Sequence, residues 1–175
     1  EGRASQIFYK ISRFLLETNI YVSVGGGLLT YASDLLQNLL PSPIHFVTAF
    51  GYLLAMHNVN RFTDQESEKF NDPIRARFYR TYRWPLLIIS VLALVGSLAL
   101  NLYASGPRPF LILLIISALG ILYSVPLIPR SLRPIIRTRG LKEIPGSKTI
   151  FVATAWAVVV VLLPVWESGL EPSTS

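Results

Sequence analysis

The chain has 175 residues, of which 51% are hydrophobic and 15% charged, with a mean hydropathy of +0.48. A soluble core of this size is surrounded by more charge, so the composition points to a protein solvated by lipid. The absence of cysteine excludes a disulfide framework, a zinc–thiolate cluster, a thiol nucleophile and a haem-attachment motif. A net charge of +6 with pI near 9.8 suits nucleic-acid binding as well as membrane topology, so the placement of the charges has to decide.

The amino terminus comes first. Between residues 5 and 18, Ile7, Phe8, Ile11, Phe14 and Leu15 share one face at helical spacing, with Lys10 and Arg13 opposite. That pattern predicts an amphipathic helix lying in the membrane surface, the alternative being a cytosolic extension of the first span. It lacks the compact apolar run and small-residue cleavage site of a signal peptide. The expected organisation is an interfacial helix over 1–18, a transmembrane bundle over 19–166 and a polar tail over 167–175.

Within the bundle the expected fold class is all-α, with five spans over 19–40, 43–59, 85–104, 109–127 and 149–166. A helix crosses the hydrocarbon core with about 20 mainly apolar residues. The windows 85–104 and 109–127 meet that rule, each opening on a proline in its first turn. The window 149–166 closes on Trp166, an aromatic suited to the headgroup level. The first two spans read as a tight hairpin turning at Pro41-Ser42-Pro43. Gly25, Gly26 and Gly27 suit close helix contact, and Asp34 is expected to face other helices or lie near the outer boundary.

These spans divide the basic residues. Arg3, Lys10 and Arg13 precede span one; Arg61, Lys69, Arg75, Arg77, Arg80 and Arg83 lie between spans two and three; Arg130, Arg133, Arg137, Arg139, Lys142 and Lys148 lie between four and five. Fifteen of 16 thus fall on one side, and Arg108 alone on the other. The positive-inside rule then sets the amino terminus and both long loops in the cytoplasm and the carboxyl terminus outside. Membrane insertion accounts for the basic pI without nucleic acid.

Chemistry is expected in the two long loops. If the second span continues as a helix, Asn60, Asp64 and Glu68 recur every four residues on one face, and two carboxylates with an amide offer hard oxygen ligands to Mg²⁺. A solvated loop in which Arg61 pairs with Asp64 explains the same spacing. In the second loop, Arg130, Arg133, Arg137, Arg139, Lys142 and Lys148 can grip a diphosphate or attract anionic lipid.

Together the loops resemble the UbiA superfamily of intramembrane prenyltransferases. Asn60-Arg61-Phe62-Thr63-Asp64-Gln65-Glu66-Ser67-Glu68, followed by Asn71-Asp72-Pro73-Ile74-Arg75, is similar to that family's N-R-x-x-D-x-x-x-D and N-x-P-x-R, with Glu68 in place of the last Asp. Tyr123-Ser124-Val125-Pro126 is similar to its Tyr-Ser or Tyr-Pro pair closing the fourth helix, and Lys142 to Lys148 follow in the expected order. The resemblance covers residues 10–166. It implies Mg²⁺ on Asp64 and Glu68 with Asn60 assisting, diphosphate contacts from Arg61, Arg75, Arg130, Lys142 and Lys148, and a pocket wall including Tyr123, Ser124 and His57. The implied reaction is prenyl transfer from a prenyl diphosphate to a lipid-soluble acceptor.

The family has about nine helices and a second Asp-rich motif, whereas this chain has no second D-x-x-x-D and no acidic residue between Asp72 and Glu143. In the alternative D-rich alignment the early ligand positions are Met56 and His57. A second expectation therefore stands beside the first: a UbiA-derived, catalytically incomplete subunit of a larger photosynthetic or respiratory membrane complex, binding lipid or pigment. Phosphatidyl transfer of the CDP-alcohol type and rhomboid proteolysis are excluded, because D-G-x-x-A-R and G-x-S-G are both absent.

Overall fold

The computed structural model describes residues 2–63, 72–124 and 146–168, and every regular element in them is helical. In chain order these are α1 (Arg3–Glu17), α2 (Ile20–Leu36), α3 (Pro43–Thr63), α4 (Pro73–Thr81), α5 (Arg83–Ser105), α6 (Pro107–Ser124), α7 (Ser147–Trp156), a π-helical segment (Ala157–Leu162) and α8 (Leu163–Glu167). The last three run on as one continuous helix.

Local chemistry sets the breaks. Asn19, at φ 61, turns the chain between α1 and α2, and Asn38, at φ 56, does so after α2; asparagine tolerates this left-handed conformation better than most residues. Asp72 caps α4, its side chain accepting from the Arg75 amide at 3.0 Å, with Pro73 at the first helical position. Gly106, at φ 92, makes the turn from α5 into α6, a conformation that a side chain would strain.

Three helices are long and apolar enough to cross a membrane: Arg83–Ser105, Pro107–Ser124 and Thr149–Glu167. Their most apolar stretches are only 22–28% buried against protein. Side chains such as Ile88, Val91, Leu92 and Val95 on α5 stand uncovered, and an apolar surface that extensive needs a surrounding other than water. The expected spans 19–40 and 43–59 are helical as α2 and α3. However, α2 has only 17 residues, and α3 carries His57, Asn58, Asn60 and Arg61 in its last two turns. The fourth expected span, 109–127, begins two residues earlier; its described part ends at Ser124, and 125–127 lie outside the described residues.

Helix α3 is the hub. It packs most extensively against α5 and α2, and it also meets α6 and the π segment. Ala49, Tyr52 and Leu53 of α3 form a common core with Leu113 of α6, Val159 of the π segment and Leu163 of α8. Gly51 permits the closest approach to α5, since a Cβ there would lie 2.9 Å from the Ala93 carbonyl. Of the three consecutive glycines, Gly26 and Gly27 face α3 side chains, whereas Gly25 faces open space.

Several hydroxyls inside the helices are satisfied by their own backbone, whereas those of Thr48 and Ser97 are buried without a partner among the described residues. Thr30, Ser90 and Ser117 return their hydroxyls to the carbonyls of Gly26, Leu86 and Leu113, four residues earlier. The π segment has an identifiable cause in Pro164, which lacks an N–H and crowds the carbonyl four residues before it. The loosened turn leaves the Val161 carbonyl accessible, and the Gln37 side chain donates to it at 3.2 Å.

Candidate functional site

The ends of α3 and α6 and the start of α7 line an open-sided cavity of about 200 Å³. On α3 it is lined by Leu53, Met56, His57 and Asn60, at the i, i+3, i+4, i+7 spacing of one helical face. On α6 the lining positions are Ile116, Leu119, Gly120, Tyr123 and Ser124, which repeat the same pattern. Helix α7 contributes Ile150, Phe151, Ala155 and Trp156 among others. A Cβ on Gly120 would sit 2.9 Å from Met56 Sδ and 3.7 Å from the Tyr52 hydroxyl, so the missing side chain keeps this space open.

The cavity is polar toward one end and apolar toward the other. Asn60 and His57 lie in the last turns of α3, and Tyr123 and Ser124 in the last turn of α6, all beside the chain leaving for the long loops. Leu53, Ile116 and Trp156 lie one to two turns further into the bundle. Tyr123 stacks on Phe151, with ring centroids 4.7 Å apart, and His57 meets the edge of Trp156 at 6.3 Å. The Tyr123 hydroxyl is buried without a partner among the described residues. An unsatisfied buried donor is costly, which suits a site that receives an acceptor atom from a ligand.

Four expected site residues thus meet in one place: His57, Asn60, Tyr123 and Ser124. Arg61 is half-buried one position beyond Asn60 and does not line the cavity. Arg75 lies elsewhere: its guanidinium donates at 3.4 Å to the Leu16 carbonyl at the carboxyl end of α1, which also accepts from the Asn19 amide. Asp64, Glu68, Arg130 and Lys142 lie outside the described residues, as does the side chain of Lys148. The sequence does not single out Tyr52, Gly120, Phe151 or Trp156, and it marks Met56 only as an early ligand position of the alternative alignment. The helical repeat through 53, 56, 57 and 60, matched by that through 116, 120 and 123, was the available signal.

Two further polar clusters tie the bundle together. Near the cavity end, Asn19 Nδ2 donates to Asn58 Oδ1 at 2.9 Å and to the Tyr79 hydroxyl at 2.7 Å, while that hydroxyl donates to Asn58 Oδ1 at 2.9 Å. All three residues are buried, and the ring joins the α1–α2 junction to α3 and α4. At the opposite end, His45 Nδ1 lies 2.9 Å from Asp34 Oδ2, and its Nε2 lies 3.3 Å from Glu167 Oε2. Asn101 donates to the other oxygen of Glu167.

This second cluster fulfils the expectation that Asp34 faces other helices, since Asp34 is completely buried. It also moves Glu167 from the expected polar tail into the last turn of α8, with its side chain inside the protein. The imidazole stands between the two carboxylates, so they approach opposite ring nitrogens instead of converging on a common point. Among the described residues no group of three or more His, Asp or Glu is arranged to hold a metal ion.

Fold and site together define an all-helical protein of membrane type, built around α3, with an amphiphilic cavity at one end and a buried ionisable cluster at the other. Compared with protein-family models, curated proteins and solved structures, the chain matches none of them.

Proposed function

We propose that the chain is a UbiA-like multi-pass membrane protein whose cavity takes the prenyl chain of a prenyl diphosphate, for transfer to a lipid-soluble acceptor. The observation that carries this reading is the convergence of Asn60 and Tyr123-Ser124 on one cavity. Asn60 opens the first and Tyr123 the second of the two stretches that resemble the family, and they are 63 positions apart in the chain. An amphiphile fits the gradient: an apolar tail toward Leu53, Ile116 and Trp156, and a polar head toward Asn60 and the loops. The Tyr123 hydroxyl then has an oxygen to donate to.

In this reading α2 and α3 join the three long apolar helices as five spans. The amino terminus and the loops after α3 and α6 face the cytoplasm and the carboxyl terminus lies on the other side, by the distribution of Lys and Arg. The donor set of Asn60, Asp64 and Glu68 is all hard oxygen and suits Mg²⁺, whose bound charge would favour departure of the diphosphate. By the resemblance, Arg61, Arg130, Lys142 and Lys148 would add positive charge for the diphosphate, and the apolar helices would keep water from the reacting carbon.

The test is binding of geranyl diphosphate by the intact protein in lipid nanodiscs, with and without Mg²⁺. Expected is Mg²⁺-dependent retention that Asp64→Ala abolishes and that Tyr123→Phe weakens by roughly fivefold, the loss of one buried hydrogen bond. Absence of any diphosphate affinity in the wild-type protein would overturn the reading in favour of a structural subunit that holds lipid or pigment in the cavity.

A further inference from the structure

Helix α1 presents two unlike faces. On one, Ile7, Phe8 and Ile11 are 52%, 73% and 54% exposed with no protein over them. On the other, Gln6, Lys10, Arg13 and Glu17 follow one another at helical spacing along a groove of about 660 Å³, closed across by Phe78 of α4 and by Tyr82. That volume falls within the range of small-molecule sites, roughly 300–1,000 Å³.

We infer that this groove seats the phosphate headgroup of an anionic lipid. Glu17 is the single acid in the groove, and it is engaged by Arg13 Nε at 3.3 Å. That pair uses the Nε of Arg13, and the two Nη groups of a guanidinium match phosphate oxygens. Lys10, which enters no ion pair among the described residues, adds an uncompensated positive charge beside it. The Gln6 amide and the Tyr82 hydroxyl supply neutral donors. Arg75, Arg77 and Arg80 of the adjacent α4 raise the positive potential further.

The source is lipid and not a soluble anion because of the helix's other face. Exposed Ile7, Phe8 and Ile11 bury themselves in the boundary between acyl chains and headgroups, and this sets Lys10 and Arg13 at phosphate depth. The inference depends on α1 resting at the membrane surface and is independent of prenyl transfer.

The test uses the full chain in neutral detergent micelles, with bound lipid counted by native mass spectrometry after addition of phosphatidylglycerol or phosphatidylcholine. The wild-type protein should retain phosphatidylglycerol in preference. Lys10→Gln/Arg13→Gln should weaken that retention about thirtyfold while leaving phosphatidylcholine unchanged, and Lys10→Gln alone by about fivefold. Lys10→Arg should retain phosphatidylglycerol as the wild type does, and Arg3→Gln, outside the groove, should have little effect. If the double variant loses helical content by circular dichroism, the single variant carries the test. Equal retention of the two lipids by the wild-type protein would overturn the inference. So would unchanged retention in folded variants, or displacement of phosphatidylglycerol by equimolar inorganic diphosphate.

Discussion

His45 contacts carboxylates from two other helices, so removing it does more than delete one hydrogen bond. His45→Ala leaves Asp34 and Glu167 buried without their common neighbour, and a buried polar group left unsatisfied costs about 1–3 kcal/mol. The expected outcome is a large fall in resistance to unfolding by dodecyl sulfate, followed by loss of helical circular dichroism. Tyr79→Phe at the other end removes one hydroxyl from the Asn19–Asn58 ring and should cost less, about 1–2 kcal/mol in the same assay. Neither cluster was evident from the residues alone. Asp34 could be judged an internal residue from the cost of a carboxylate in lipid, but nothing near it in sequence indicates Glu167, which lies 133 positions away. Asn19 and Asn58 likewise carry no local pattern, because a buried amide is recognised only by what surrounds it.

Helices, by contrast, announce themselves through spacing. The apolar windows of α5, α6 and the final helix were legible within a few residues at each boundary, since length and apolarity are local properties. The π segment was not, although Pro164 was visible; how a proline is accommodated depends on what surrounds the loosened turn, here Gln37 on the Val161 carbonyl. The glycines permit a direct comparison. Gly51→Ala would press a Cβ against the Ala93 carbonyl and should destabilise the α3–α5 pair by about 1–3 kcal/mol. Gly25→Ala meets open space and should stabilise α2 by up to about 1 kcal/mol, as alanine is the better helix former. Parallel thermal melts of the two variants in micelles check the opposite signs. Helix α3 explains why the expected second span was harder to judge: its apolar stretch runs without a break into the polar residues that line the cavity.

For the whole molecule, the arrangement places the cavity at the end of the bundle where α3 and α6 finish and the ionisable cluster at the other. Variants should therefore separate by end. If the proposed prenyl diphosphate binds, Asp64→Ala should abolish its Mg²⁺-dependent retention without shifting the melting temperature, whereas His45→Ala should lower the melting temperature without first affecting retention below it. A parallel loss of both properties in His45→Ala well below its melting point would show that the two ends are coupled. Composition and periodicity by themselves determined that the chain is helical, that much of it is apolar enough for a membrane, and where the basic residues cluster; each of these depends on residue type and near neighbours along the chain. Only the tertiary structure decided that His57, Asn60, Tyr123 and Ser124 share a cavity, that Arg75 serves α1 instead, and that Glu167 belongs to the interior. Those outcomes depend on how helices distant in sequence rotate to bury polar groups against one another, and no spacing along a single helix encodes that rotation.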